Sequence, residues 1–289
     1  MANPRAEAED KLGGDYEARV LEPSPPAVTD DPYADDPVDP GEVPEGRELV
    51  SPVHNRGDHT WDEIAIQDPA IAPWCADRWL GAWKRLEPLP PSFAETRVAL
   101  HKIAEAVVSP ARQPPNEIAL RYTRSGFGTP FFERDGVDCQ VRVEHGELVR
   151  QTGPEETREP LTGVEIAAAS ALGDYYGLGC SVLEQLRADE VDGDPSRVQL
   201  WPDHFDIAVD LGSERTGQRA TYGASPGDDD HPEPYLYVAP WTKQPSGELW
   251  NASGFQGAEL GYSELIAADD QRRAALAFMR ERYRALQEA

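Results

Sequence analysis

The alternation of apolar and polar positions changes character along the chain. Residues 1–50 show no helix or strand period, and DDPYADDPVDPGEVPEG sets prolines and carboxylates where a core would need apolar side chains. The segment carries fourteen acidic and four basic residues, with Tyr16 and Tyr33 as its aromatics. Too little apolar surface is present to offset the entropy of ordering, so a disordered acidic tail is expected. From Trp61 the pattern turns apolar, and WDEIAIQDPAIAPWCADRWLGAWKRL holds Trp61, Trp74, Trp79 and Trp83. Asp77 to Leu86 reads as a short helix with Trp79 and Trp83 on one face, and that face is read as core.

A helical period then governs residues 92–109. Ser92 and Glu95 have capping-box spacing, and Val98, Leu100, Ile103, Ala104, Val107 and Val108 supply the apolar stripe up to Ser109-Pro110. The period drops to two at Glu117 to Tyr122 and again at Val137 to Val143. There Glu144-His145-Gly146-Glu147 turns the chain into Leu148 to Gln151, predicting a hairpin. A second box, Thr162 to Glu165, predicts a helix through VEIAAASALGDYYGLGCSVLEQL. Ala169, Gly173 and Gly177 form a small-residue seam on it for close approach of another element, and Gly179 is a place for a kink. DEVDGDPSR lacks the order and closing glutamate of a calcium loop and is read as a solvated turn.

The clearest strand pattern lies between 197 and 241. From His204 to Asp210, Phe205, Ile207 and Val209 face one way, while His204, Asp206, Ala208 and Asp210 face the other. Further strands are expected at Arg219 to Ala224 and Pro234 to Ala239, with Tyr235 and Tyr237 sharing a face. Leu260 to Ala268 and a last helix with Leu276, Met279, Tyr283 and Leu286 as its seam close the chain. In the loop before them, Trp250 and Phe255 are expected to anchor LWNASGFQG to the core.

These elements predict an α+β fold, an antiparallel β-sheet packed against three or four helices, preceded by the tail at 1–50. Residues 51–289 are expected to make one domain, with a helical tryptophan-rich opening at 61–90, a core at 92–241 and C-terminal helices at 260–288.

Charge narrows the partners. With 53 acidic and 27 basic residues the formal net charge is −26 over 289 residues. Phosphate backbones and anionic lipid would be repelled, so neither nucleic acid nor membrane is an expected partner. The tail could instead dock a basic protein. Lysine is confined to Lys11, Lys84, Lys102 and Lys243, a bias that reads as high-GC coding. Cys75, Cys139 and Cys180 are widely spaced and read as buried free thiols in a reducing compartment. No basic-plus-apolar leader opens the chain and no apolar run approaches ~20 residues, so a cytoplasmic location is expected.

Candidate chemistry gathers in the 197–241 stretch. His204, Asp206 and Asp210 on one strand face could meet His231 with Asp228, Asp229 and Asp230 from the turn, if the strands are neighbours. Imidazole with carboxylates would suit a divalent ion such as zinc, manganese or iron, with His231, Asp228 and Asp230 as the ligands. Without a metal, Asp206 with His204 or His231 would make a base and its orienting partner, and Tyr237 or Tyr235 would polarise a carbonyl. Asp206 as a purely structural carboxylate is the competing reading. GxSxG, SxxK, P-loop and dinucleotide motifs are absent from the sequence.

Residues 97–241 also resemble a bacterial domain family of unknown function. The likeness is carried by ALHKIAEAVV, IALRYTRSGFGTPFF, VDCQVRVEHGELV, LWPDHFDIAVDLG and HPEPYLYVAPW. Phe205, Asp206, Ala208, Val209, Glu233, Pro234, Tyr235 and Tyr237 bear most of it. Asp203-His204 stands where the family has glycine-serine, so the likeness gives His204 no role. It implies a shared α+β domain and no chemistry. The expected function is small-ligand binding on the polar face of strand 203–210. A metal-dependent hydrolase using His204, Asp206 and His231, or an interaction module using the tail, are the alternatives.

Overall fold

In the computed structural model the described residues are 83–288, except 113–117, 124–125, 131, 153–154, 230 and 243–245. The acidic tail, Cys75, Trp79 and most of the tryptophan-rich opening therefore lie outside the described residues. Residues 83–90, which do not, run without regular secondary structure, so no helix continues to Leu86.

The first helix, α1 (Phe93–Ile103), continues as a π turn over Ala104–Val108 and a short 3-10 turn over Ser109–Ala111. Its start differs from the capping-box expectation. Ser92 makes no cap bond and donates instead to the Glu165 carboxylate at 3.3 Å. Glu165 is itself the N-cap of α2 (Ile166–Asp189), accepting from the N–H groups of Ala167 at 3.1 Å and Ala168 at 2.8 Å. One carboxylate thus satisfies the orphan donors of α2 and ties the start of α1 to it. The helix begins after Glu165 rather than Thr162 because Gly163 takes a left-handed φ of 77° and Glu165 stays extended.

Six strands form the first antiparallel sheet: β1 (Arg121–Thr123), β2 (Gly126–Gly128), β3 (Phe132–Arg134), β4 (Val137–Glu144), β5 (Glu147–Thr152) and β6 (Glu155–Pro160). They run in the order β1-β2-β4-β5-β6, with β3 also paired to β4. The hairpin at His145-Gly146 is as expected, with both residues at positive φ.

The second sheet is β7 (Gln199–Trp201), β8 (Asp206–Leu211), β9 (Ala220–Ser225), β10 (Tyr235–Pro240) and β11 (Ala258–Gly261), in the order β11-β10-β9-β8-β7. A bridge of Leu120 with Leu200, with N–H to carbonyl distances of 2.7 and 2.9 Å in the two directions, joins the sheets at β1 and β7. The expected single sheet is thus two antiparallel sheets linked at their edges. Helices α3 (Tyr262–Ala267) and α4 (Gln271–Gln287) complete the described fold.

The long helix α2 packs against β1, β2, β8 and β9, and against α1 and α4. Period two then places Ile207, Val209, Leu211, Tyr222, Ala224, Leu236, Val238, Ala258 and Leu260 in one buried core with it. Each large side chain contributes about 1.5–3 kcal/mol by leaving water. The helix runs unbroken through Gly179. A Cβ there would stand 2.7 Å from the Ala224 Cβ, so the glycine is where helix and sheet touch. Gly177 on the expected seam does the same for the Tyr122 hydroxyl, at 2.9 Å. Cys139 and Cys180 are buried free thiols. No helix among the described residues is long and apolar enough to cross a membrane.

Candidate functional site

The face of the second sheet turned away from α2 carries Asp206 and Asp210 of β8, Thr221, Gly223 and Ser225 of β9, Tyr235 and Tyr237 of β10, and Glu259 of β11. Alternation decides this, because the intervening residues of each strand are the core positions named above. Asp206, Asp210, Thr221 and Ser225 are nonetheless buried.

Strand β9 separates β8 from β10, so the strands of 203–210 and 234–239 are not direct neighbours. The Tyr237 side chain closes that gap. Tyr237 pairs with Gly223, and Gly223 pairs in turn with Ala208, one residue from Asp206. Because Gly223 has no Cβ, the phenol ring lies across β9, where a Cβ would come within 2.4 Å of it. The Tyr237 hydroxyl then donates to Asp206 Oδ2 in a short hydrogen bond. Of the candidate residues, these two are brought together directly.

Asp206 is held from behind by an unusual backbone. Phe205 has φ 53°, in the left-handed region that bulky residues seldom occupy. Its ring is stacked on His101 at 5.0 Å and meets Phe127 and Tyr176 edge-on. Its N–H donates to the Trp201 carbonyl at 2.6 Å, and its carbonyl accepts from the Tyr176 hydroxyl at 2.5 Å. The His101 Nε2 donates to the Pro202 carbonyl at 2.8 Å, so His101 serves this turn.

That turn also decides His204. The strand begins at Asp206, not at His204, so His204 does not share its polar face. Its imidazole is half-exposed and lies 3.5 Å from Asp203. The expected row of His204, Asp206 and Asp210 is therefore a pair, and Asp210 is committed to structure. It accepts from Thr221 at 2.6 Å, while Thr221 accepts from the Trp241 indole at 3.0 Å.

The turn between β9 and β10 brings in the other candidates. The carboxylate of Asp228 accepts from the His231 N–H at 2.7 Å and from the Tyr235 hydroxyl at 3.2 Å. Its carbonyl accepts from Arg97 of α1 at 3.1 Å. The His231 ring packs on Tyr235 with centroids 4.6 Å apart. Its Nδ1 lies 3.5 Å from Asp228 and its Nε2 lies 3.3 Å from Glu259. Phe255 leaves the core role expected of it, which only Trp250 fills, and packs on Tyr235 at 6.4 Å and Tyr237 at 6.2 Å.

The two described members of the expected metal set, His231 and Asp228, are held in other contacts. His231 stands between Asp228 and Glu259 with one nitrogen toward each, so its ring keeps the two carboxylates on opposite edges. Asp228 is already occupied by its own turn and by Tyr235, and Asp230 lies outside the described residues. Among the described residues no group of three or more His, Cys, Asp or Glu side chains converges as a metal site.

Beside Tyr235 and the Asp228 turn, Arg97 Nε, His231 Nδ1 and Glu259 Oε2 are buried without a hydrogen bond, and so is the Tyr175 hydroxyl of α2 within the core. Burial holds the Tyr175 hydroxyl well above the ordinary tyrosine range, and Tyr235, Tyr262, Tyr237 and Asp206 push the same way. Tyr235 is pushed up to about 12, first by burial and then by Asp228 and Asp206, against a lowering bond from Ser225. Both phenols stay protonated at neutral pH and act as hydrogen-bonding groups, not as bases.

Sequence reasoning passed over Glu259, Arg97, Tyr175 and Gly223. The glycine inside the strand TYGAS was the available signal, since an interior glycine marks a close approach. Arg97 and Tyr175 sit on helices packed beside the sheet, and no local pattern distinguishes them. Comparison with protein-family models, curated proteins and solved structures finds no match.

Proposed function

We propose that this chain binds a small polar ligand at the Asp206–Tyr237 end of the second sheet. The reading rests on the buried polar atoms of Arg97, His231 and Glu259 that make no hydrogen bond among the described residues. Buried polar groups are nearly always paired, because an unpaired one costs about 1–3 kcal/mol. Several orphans beside one turn fit a site whose remaining partner comes from solution. The geometry supplies donors, acceptors and aromatic faces from β8, β10 and β11, from the turn before β10 and from the loop before β11. A ligand held here would meet Asp206 oriented by Tyr237, and His231 between its two carboxylates.

Melting the full chain against a library of small polar metabolites tests this reading. A ligand present at about 100 times its dissociation constant should raise the midpoint by about 5–10 °C. The rise should shrink in Asp206→Asn and in Glu259→Gln. A library that shifts the wild-type chain and both variants alike would place binding elsewhere, and one that shifts none would remove the reading.

A further inference from the structure

We infer that the ligand is an organic ammonium ion carrying N–H groups on an apolar or aromatic body, an inference that rests on the binding site proposed above. Three observations on that site lead to it. The first is charge. Asp206, Asp228 and Glu259 supply three carboxylates, against the single guanidinium of Arg97, which is already bonded to the Asp228 carbonyl at 3.1 Å. Even with His231 protonated, the carboxylates outnumber the cations. The chain as a whole carries −26, so its field concentrates cations and excludes anions at any opening.

The second is the aromatic wall. Tyr235 and Tyr237 have centroids 6.2 Å apart, and Phe255 lies 6.4 and 6.2 Å from them at different inclinations. Rings set at such angles present π-faces in more than one direction, and those faces attract a positive charge, most strongly one that has left water. An apolar body would pack on the same rings.

The third is the kind of hydrogen bond on offer. Glu259 Oε2 is buried and bonded to no donor, with His231 Nε2 near it at 3.3 Å. A carboxylate oxygen can only accept. Its complement is an N–H or O–H group, and an ammonium N–H makes the stronger, charge-assisted bond. A quaternary ammonium would satisfy the rings but offer Glu259 no hydrogen bond beyond its contact with His231, so a primary or secondary ammonium fits best. The Glu259 and His231 side chains are 25% and 23% exposed, so this edge of the site meets solvent.

Calorimetric titration of the full chain with benzylammonium, benzyl alcohol and benzoate, three probes of similar shape and different charge, decides the matter. Benzylammonium should bind about 10-fold or more tighter than benzyl alcohol, with benzoate weakest. Glu259→Gln, a conservative change at a partly exposed position, should weaken benzylammonium about 10-fold and leave the alcohol nearly unchanged. Phe255→Ala should weaken both. Equal or tighter binding of benzoate or the alcohol, still sensitive to Asp206→Asn, would overturn the ammonium assignment and leave the site standing. Absence of heat with all three probes at millimolar concentration would also overturn it, and the metabolite melting screen would then show whether the site itself survives.

Discussion

The hydroxyl of Tyr237 on β10 reaches the carboxylate of Asp206 on β8 by passing its ring over Gly223 of the strand between them. Two residues 31 apart in sequence become partners because a third has no side chain. The pair is buried, so removing either member takes a hydrogen bond from the other in a place that water does not reach.

That dependence predicts a large coupling. Tyr237→Phe removes the hydroxyl from a buried carboxylate and should cost about 1–3 kcal/mol in urea unfolding. Asp206→Asn should cost a similar amount. The double variant should cost less than the sum by about 1 kcal/mol or more, as a double-mutant cycle reports. Simple additivity would mean that the hydrogen bond does not contribute to stability.

Gly223→Ala sets two effects against each other. Alanine lowers the entropy cost of the strand by about 0.5–1 kcal/mol, yet its Cβ would meet the Tyr237 ring at 2.4 Å. Overpacking at about 1–3 kcal/mol should win, giving a net loss. In a Tyr237→Leu background the same substitution should cost far less, because the ring that blocks it is gone. Equal costs in both backgrounds would show that the ring does not lie over Gly223.

A parallel contest holds at Gly179. Alanine is better in a helix interior by about 1 kcal/mol, but its methyl would stand 2.7 Å from Ala224 Cβ and 3.3 Å from Ile207. Both neighbours belong to a packed sheet, so Gly179→Ala should destabilise by about 1 kcal/mol or more in thermal melts. Ala224→Gly should recover part of that loss. A stabilised Gly179→Ala variant would mean that α2 rides higher above β8 and β9.

On the first sheet, stability should fall with acid through Glu156. Burial acts to raise its pKa, but hydrogen bonds and charge from Arg142 and Arg158 prevail and lower it from 4.5. A carboxylate with a depressed folded pKa contributes stability above its unfolded value, and that contribution is lost as pH falls through the folded value. Denaturant midpoints measured from pH 7 to pH 3 should therefore drop below about 4.5, and Glu156→Gln should flatten part of that drop. An unchanged slope would mean that Arg142 and Arg158 stabilise Glu156 no more than water does.

Local patterns carried much of the architecture. The period of two in FDIAVDL and the seam of Leu276, Met279, Tyr283 and Leu286 in α4 place the core positions correctly, whereas in VDCQVRVE the polar Gln140, Arg142 and Glu144 are buried as well. Burial of alternate side chains is a local consequence of backbone geometry. The turn at His145-Gly146 was legible for the same reason, since two successive positive φ values suit a two-residue hairpin. Asp206, Tyr237, His231 and Asp228 were also legible as candidates, because chemistry-bearing residues on one face or in one turn can be seen in a string of letters.

Their grouping was not. Whether β8 and β10 are neighbours depends on strand order, and only the packed sheet sets β9 between them. His204 looked like a strand residue by alternation, until Phe205 adopted a left-handed φ that no local pattern announces. Glu259, Arg97 and Tyr175 come from β11, α1 and α2, elements whose meeting follows from the burial of shared apolar faces. Sequence alone determined which residues face the core and which face away, because that choice is made within each strand or helix. Tertiary structure decided which polar residues meet, because a contact between distant elements exists only once the core between them has closed.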